Sequence, residues 1–255
     1  MSPLRSVDVV RIVVAVVLVT HPLHALLSPV DAHVLAADLA DHGVSLGVGT
    51  AWVALVATLA CAVGLVFRRT LVPAAIGACV LIAADLVLLH GEHWFVLGGN
   101  AVDGSPGAEF HVLLLACLAG MLWTYAYGRA DRGFAVIQIA SAALLLPHAL
   151  SPFVMWDVEG MREWGHGMEH LGFPCGVALV WSLKVVELVC AIARLARRFV
   201  IPACLGHLAI LVPGMWISQH GSWFVVGPGE GGIEYPIVLS ACAIATMLES
   251  APRRA

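Results

Sequence analysis

The stretch HGSWFVVGPGEGGIEYP, residues 220–236, is the most informative part of the chain for predicting its fold. A related stretch, HGEHWFVLGGNAVDGSPGAEF, occupies residues 90–110. In both, His-Gly follows an apolar run, Trp-Phe comes next, and a glycine-rich segment leads to a glutamate and an aromatic residue. Another apolar run then begins. We therefore predict that each stretch is a corner between two helices.

Similarity at a fixed spacing extends well beyond these corners. Arg68-Arg69 matches Arg197-Arg198 at an offset of 129 residues (197 − 68 = 129). After the shorter second loop the offset becomes 125 (234 − 109 = 125). The pairs at this second offset include Glu109 with Glu234, Phe110 with Tyr235 and Cys117 with Cys242. Such self-similarity indicates an internal repeat, here of two tandem units.

The composition places the chain in a membrane. It has 255 residues, of which 60% are hydrophobic and only 12% are charged. These charges are too few to cover the surface of a soluble protein of this size. Nucleic-acid binding is not expected, because the chain has one lysine and no basic stripe. We predict an all-α integral membrane protein whose main partner is the lipid bilayer.

Eight apolar windows are long enough to cross a hydrocarbon core of about 30 Å, which takes about 20 residues. They are residues 9–28, 45–67, 71–89, 109–127, 134–153, 172–193, 199–218 and 233–249. We predict eight transmembrane helices arranged as two four-helix bundles, residues 1–130 and 131–255. The first window continues through histidines and prolines without a small-residue cleavage site, so we expect it to be retained as a helix.

The positive charges predict the orientation of these helices. Eleven of the 13 lysines and arginines fall at one face: Arg5, Arg11, Arg68, Arg69, Arg129, Arg132, Arg194, Arg197, Arg198, Arg253 and Arg254. Positive residues concentrate on the cytoplasmic side, so both termini are expected there. The opposite loops, 29–44, 90–108, 154–171 and 219–232, should face the periplasm or the cell exterior. With four helices each, the units share one orientation and form parallel repeats.

Several histidines and two glutamates are expected at one depth near the outer helix ends. They are His21, His24, His90, His111, His148, His220, Glu109 and Glu234. His21 and His24 share a helix face because they are three residues apart. Three interpretations stay open: a hydrogen-bonded network without ligand, contact with a quinone headgroup or another small polar molecule, and a haem or metal site, since imidazole binds zinc, copper and iron.

Lys184 and Glu187 lie in the middle of an apolar window, where an ionisable residue costs about 2.5–3.5 kcal/mol on insertion scales. Their spacing allows a local ion pair, and a role in proton or substrate handling is the alternative. The matching positions of the first unit hold Leu55 and Thr58. Asp85 is the comparable residue of that unit, and we expect its neighbours to be the outer histidines.

The seven cysteines all lie inside or at the edge of apolar runs, and no two form a Cys-x-x-Cys motif. We expect them to be buried and to pack as small hydrophobic residues. A redox or metal-binding role for the thiols is the less favoured alternative.

The runs RIVVAVVLVTHPLHALLSP, LLLPHALSPF, WSLKVVELVCAIARLARR and HGSWFVVGPGEGGIEYPIVL resemble the DoxX family of small four-helix bacterial membrane proteins. The chain looks like a fused tandem pair, with the better match in the second unit. The resemblance marks His148, Glu187, His220, Glu234 and Tyr235 there, and His21, His90, Glu109 and Phe110 in the first unit. The family includes the membrane subunit of a thiosulfate:quinone oxidoreductase.

The resemblance implies a redox-linked subunit of the bacterial inner membrane, acting between a periplasmic redox protein and the quinone pool. We assign His220, Glu234, Lys184 and Glu187 to catalysis, and His21, His24, His90, His148 and Tyr235 to binding of the cofactor. A small-solute or metal transporter is one alternative, since substrate sites tend to lie near the midplane where repeats meet. A membrane scaffold or assembly subunit without a ligand is the other.

Overall fold

A computed structural model describes residues 6–27, 30–44, 47–89, 108–154, 158–217 and 233–250. These residues form ten helices and no strand. The helices are α1 (Ser6–Leu27), α2 (Val30–Asp41), α3 (Gly47–Val66), α4 (Leu71–Leu89), α5 (Ala108–Tyr125), α6 (Ala130–Val154), α7 (Val158–His170), α8 (Gly176–Leu195), α9 (Val200–Ile217) and α10 (Glu234–Ser250).

Seven of the described helices are long and apolar enough to cross a membrane: α1, α3, α4, α5, α6, α8 and α9. All seven fall on predicted windows, so the expectation of an all-α membrane protein is confirmed. The eighth window corresponds to α10, which has 17 residues and falls just short of that length.

Two of the outer segments that we predicted as loops contain helices instead. These are α2, of 12 residues, and α7, of 13 residues.

The helix α7 packs closely on α8. A Cβ atom added to Gly176 would collide with the carbonyl oxygen of Gly165. Glu169 accepts a hydrogen bond from the Gly176 N–H at 3.0 Å, which satisfies an amide at the start of α8. A hydrogen bond from His166 is the largest cause of the lowered pKa of Glu169.

The long helices pack in two similar sets. In the first, α3 packs against α1 and α4, and α5 packs against α4 and α1. In the second, α8 packs against α6 and α9, and α10 packs against α9 and α6. The two sets meet where α5 lies against α6 and where α10 lies against α1. Apolar side chains of α1, α5 and α10 dominate the core between them.

Residues that the sequence offsets pair also occupy matching environments. Cys117 and Cys242 meet across the contact between α5 and α10, with their sulfurs 3.7 Å apart. The rings of Phe110 and Tyr235 meet edge to face at 6.1 Å between centroids. In addition, a Cβ added to Gly77 would lie 2.8 Å from Cys61 Sγ, and one added to Gly206 would lie 2.7 Å from Cys190 Sγ. The Cys-Gly contact therefore occurs once in each helix set.

Helix ends that the charge pattern assigns to one face lie together in the structure. Asp8, near the start of α1, forms an ion pair with Arg11 at 3.0 Å and another with Arg68, beyond α3, at 3.5 Å. Tyr125, at the end of α5, donates a hydrogen bond to Asp8 at 2.5 Å. Arg11 also donates to the carbonyls of Leu65 and Val66 and so caps α3.

One expectation about individual residues is wrong. Cys175 is exposed at the start of α8, whereas Cys117, Cys190, Cys204 and Cys242 are buried as expected and Cys61 and Cys79 are half-buried. Arg194 lies in the last turn of α8, and its side chain is only 1% exposed. The Arg194 side chain lies on the same face of α8 as Lys184 and Glu187, and this face packs inward.

Candidate functional site

The first residues of α5 and α10 form the outer part of the candidate site. Glu109 and Glu234 are both 0% exposed, although each lies in the first turn of a helix. The positive end of the helix dipole favours a carboxylate at this position. Thr20 of α1 donates a hydrogen bond to Glu234 at 3.2 Å. Burial of a carboxylate in a membrane protein is costly, so each of these glutamates is a candidate for a functional role.

The hydroxyl of Tyr235 lies at the junction of three helices. It is buried in electrostatic contact with Glu109 of α5 and with Glu187 of α8. It approaches the Glu109 carboxylate as a hydrogen-bond donor, in a contact that falls short of ideal geometry. A buried phenol beside carboxylates of two neighbouring helices is a candidate to contact a ligand. The Tyr235 ring is held in place by its edge-to-face contact with Phe110.

The predicted ion pair between Lys184 and Glu187 is confirmed. Lys184 Nζ lies 3.0 Å from Glu187 Oε2, and each side chain is only 7% exposed. Lys184 Nζ also donates to the carbonyl oxygen of His148 at 3.4 Å, and it lies 5.6 Å from the centre of the Trp164 ring. The half-buried His148 ring is in electrostatic contact with both members of the pair. Three helices, α6, α7 and α8, thus surround one buried ammonium group.

A second buried cation continues this polar region along α8. Arg194 donates to Ser141 Oγ at 2.7 Å and to His207 Nδ1 at 3.1 Å. Since a guanidinium can only donate, the Nδ1 atom of His207 must be unprotonated. His207 Nε2 therefore carries the proton, which it donates to the carbonyl oxygen of Glu187 at 3.2 Å. His207 is fixed as one neutral tautomer and orients Arg194.

The contact between Arg194 and His207 could not be predicted from the sequence. The contact joins α8 to α9, so no spacing along the chain displays it. One signal was present: Arg194 follows Glu187 by seven residues, which places the two side chains on the same helix face.

On the other side of the α5–α10 contact, polar contacts are fewer. Asp85 Oδ2 lies 2.8 Å from His111 Nε2. This contact confirms the prediction that Asp85 has one of these histidines as a neighbour. Thr58, at the position that matches Glu187, donates to the carbonyl of Ala54 within its own helix. Phe110 lacks the hydroxyl of Tyr235. Among the described residues, the buried ammonium and guanidinium groups of Lys184 and Arg194 therefore both belong to α8.

The structure brings together Lys184, Glu187, His148 and Tyr235, and it places Glu234 next to Tyr235 in the first turn of α10. His24 is an exposed residue in the last turn of α1. His90 and His220 lie outside the described residues, as does the side chain of His21. Within the described ranges, no group of three histidines, cysteines, aspartates or glutamates is arranged to hold a metal ion. The roles that we assigned to these residues stay predictions.

Comparison of the chain with models of protein families, with curated proteins and with solved structures finds no match.

Proposed function

We propose that this multi-pass α-helical membrane protein is a DoxX-like, redox-linked subunit that binds a quinone headgroup at the α5–α10 contact. In this role it passes electrons or protons between a periplasmic partner and the quinone pool of a bacterial inner membrane. The observation that carries the proposal is the Tyr235 hydroxyl, which is buried in electrostatic contact with the carboxylates of Glu109 and Glu187. A quinone carbonyl oxygen is an acceptor to which a phenolic hydroxyl can donate.

The chemistry of quinones fits the groups at this site. Reduction of a quinone to a quinol takes two electrons and two protons, and the protons must reach its two oxygen atoms. In this proposal Tyr235 donates a hydrogen bond to one oxygen, and the carboxylates of Glu109 and Glu187, which are in electrostatic contact with Tyr235, exchange the protons. Lys184 balances the charge of Glu187 and so limits the cost of its burial. The resemblance to the DoxX family supports the same assignment by analogy.

The architecture that we propose has eight spans in two parallel units, residues 1–130 and 131–255. At about 1.5 Å per residue, the 17 residues of α10 extend about 26 Å, close to the hydrocarbon thickness of about 30 Å. The matching Cys-Gly contacts and the meeting of Cys117 with Cys242 support a pseudo-two-fold axis between α5 and α10. A quinone at this contact would lie where the two units meet.

The orientation can be tested on the native chain through Cys175. This thiol is exposed at the start of α8, on the side that we assign to the periplasm. We expect a membrane-impermeant maleimide to label Cys175 in spheroplasts, and a Cys175→Ser variant to lose that label. Labelling of Cys175 only in inverted membrane vesicles would reverse the proposed orientation.

Binding of quinone is the direct test of the proposed function. Protein purified in mild detergent is expected to retain quinone that organic extraction and native mass spectrometry detect. A short-tailed ubiquinone analogue added to depleted protein should raise the temperature of unfolding, because a ligand that binds only the folded state stabilises it. If no quinone is retained and the added analogue causes no shift, the proposal is wrong.

Transport of a small solute is the second candidate, favoured by the buried Lys184–Glu187 pair in the middle of α8. Substrate-dependent flux into proteoliposomes that is lost in a Glu187→Gln variant, together with absence of quinone binding, would favour transport over the redox function.

A further inference from the structure

Cys117 and Cys242 form a close pair of thiols inside the helix bundle. Their sulfurs are 3.7 Å apart, and both residues are 0% exposed. A disulfide has a sulfur–sulfur distance of about 2.05 Å, so a small approach of α5 and α10 would bring the sulfurs to bonding distance. The two residues are 125 positions apart in sequence, and a bond between them would join the two units of the chain covalently.

The surroundings of the pair are electropositive on one side. The buried Arg194, which is oriented by Ser141 and His207, is in electrostatic contact with Cys204, Cys242 and Cys190. The Nε atom of Arg194 has no hydrogen-bond partner among the residues that the structure describes. Reactive cysteines commonly lie beside a cationic side chain, because the charge stabilises the electron-rich sulfur through which thiol chemistry proceeds. Packing of apolar residues alone would not require an arginine here.

Burial restricts the oxidant that could reach these sulfurs. Oxidised glutathione and protein disulfides are polar or large oxidants, and they are poorly suited to enter the lipid-facing interior of a membrane bundle. A lipid-soluble oxidant can enter from the bilayer. Phe110 and Tyr235 precede the two cysteines by seven residues each, which is two helical turns or about 10 Å along the same contact. The aromatic pair and the thiol pair therefore lie along one contact between α5 and α10.

We propose that Cys117 and Cys242 are a redox-active dithiol that a membrane quinone oxidises to a disulfide. The two S–H bonds break, one S–S bond forms, and the two electrons and two protons convert the quinone to the quinol. Arg194 is a positioning residue in this reaction. The proposal rests on the proposed function, since it requires quinone to bind at the α5–α10 contact, and it makes the protein itself a two-electron donor to the quinone.

The test counts thiols in the intact protein. Reduced, quinone-depleted protein is treated anaerobically with a short-tailed ubiquinone analogue, denatured, labelled with maleimide and weighed by mass spectrometry. We expect the number of free thiols to fall from seven to five, with one quinol formed per chain and a peptide that links Cys117 to Cys242. A Cys117→Ala or a Cys242→Ala variant should keep all six of its thiols free.

Cys79→Ala is the matched control, because Cys79 is a half-buried cysteine of α4 that is not a member of this pair. This variant should still lose two thiols on treatment. If the wild-type protein binds the analogue, as shown by quenching of tryptophan fluorescence, but keeps seven thiols, the dithiol proposal is wrong and quinone binding stands. If the analogue does not bind at all, both proposals are wrong. Loss of thiols other than Cys117 and Cys242 would also overturn the dithiol proposal.

Discussion

Replacing Lys184 with methionine is expected to lower the free energy of unfolding by about 3–5 kcal/mol, because the change leaves the buried Glu187 carboxylate without its cation. The variant also loses the hydrogen bond from Lys184 Nζ to the His148 carbonyl. Unfolding in detergent, followed by circular dichroism against temperature or denaturant, measures the change. The double variant Lys184→Met with Glu187→Leu should recover most of the lost stability, since it removes both charges from the bundle.

The exposed pair of Arg162 and Glu159 provides a control within the same chain. These two residues are also three positions apart, and a guanidinium nitrogen of Arg162 lies 2.8 Å from Glu159 Oε2. The Arg162 side chain, however, is 53% exposed and the Glu159 side chain is 72% exposed. An Arg162→Met change should therefore cost less than about 1 kcal/mol. Equal effects of Arg162→Met and Lys184→Met would mean that the Lys184–Glu187 pair is solvated. A double variant as unstable as Lys184→Met alone would assign the loss to packing of the lysine stem.

Most of the long helices could be predicted from the sequence, because a segment that crosses lipid must be apolar and must satisfy its backbone hydrogen bonds internally. The same criterion missed α2 and α7, which are too short and too polar to appear as apolar windows. For α7 a helical period was present, since the buried Met161, Gly165 and Met168 recur at intervals of four and three residues. A search restricted to windows of about 20 residues does not detect it.

Prediction of the site succeeded where the contact is local. Lys184 and Glu187 are neighbours on one helix turn, so their spacing was enough to predict the ion pair. The position of Arg194 near the end of an apolar window did not predict that its side chain is buried. Its partners Ser141 and His207 come from α6 and α9, and only the packing of those helices on α8 brings them together. The junction of Tyr235 with Glu109 and Glu187 likewise required three helices.

Replacing Tyr235 with phenylalanine is expected to weaken the binding of quinone about tenfold while leaving stability nearly unchanged. The Tyr235 hydroxyl makes only a poorly aligned contact with Glu109, so its removal from the ligand-free protein should cost less than about 1 kcal/mol. With quinone bound, the variant loses one hydrogen bond to the ligand, and about 1.4 kcal/mol corresponds to a factor of ten in the dissociation constant. Titration of a short-tailed ubiquinone analogue, followed by tryptophan fluorescence, measures the binding.

Tyr125→Phe is the matched control and should show the opposite pattern. Tyr125 lies at the other end of α5, and its hydroxyl donates a hydrogen bond to the buried Asp8. Its loss should lower the free energy of unfolding by about 1–3 kcal/mol, since a buried carboxylate loses a donor, and quinone affinity should stay the same. If Tyr235→Phe destabilises the protein as much as Tyr125→Phe and quinone affinity does not change, the Tyr235 hydroxyl has a structural role and the quinone site must lie elsewhere.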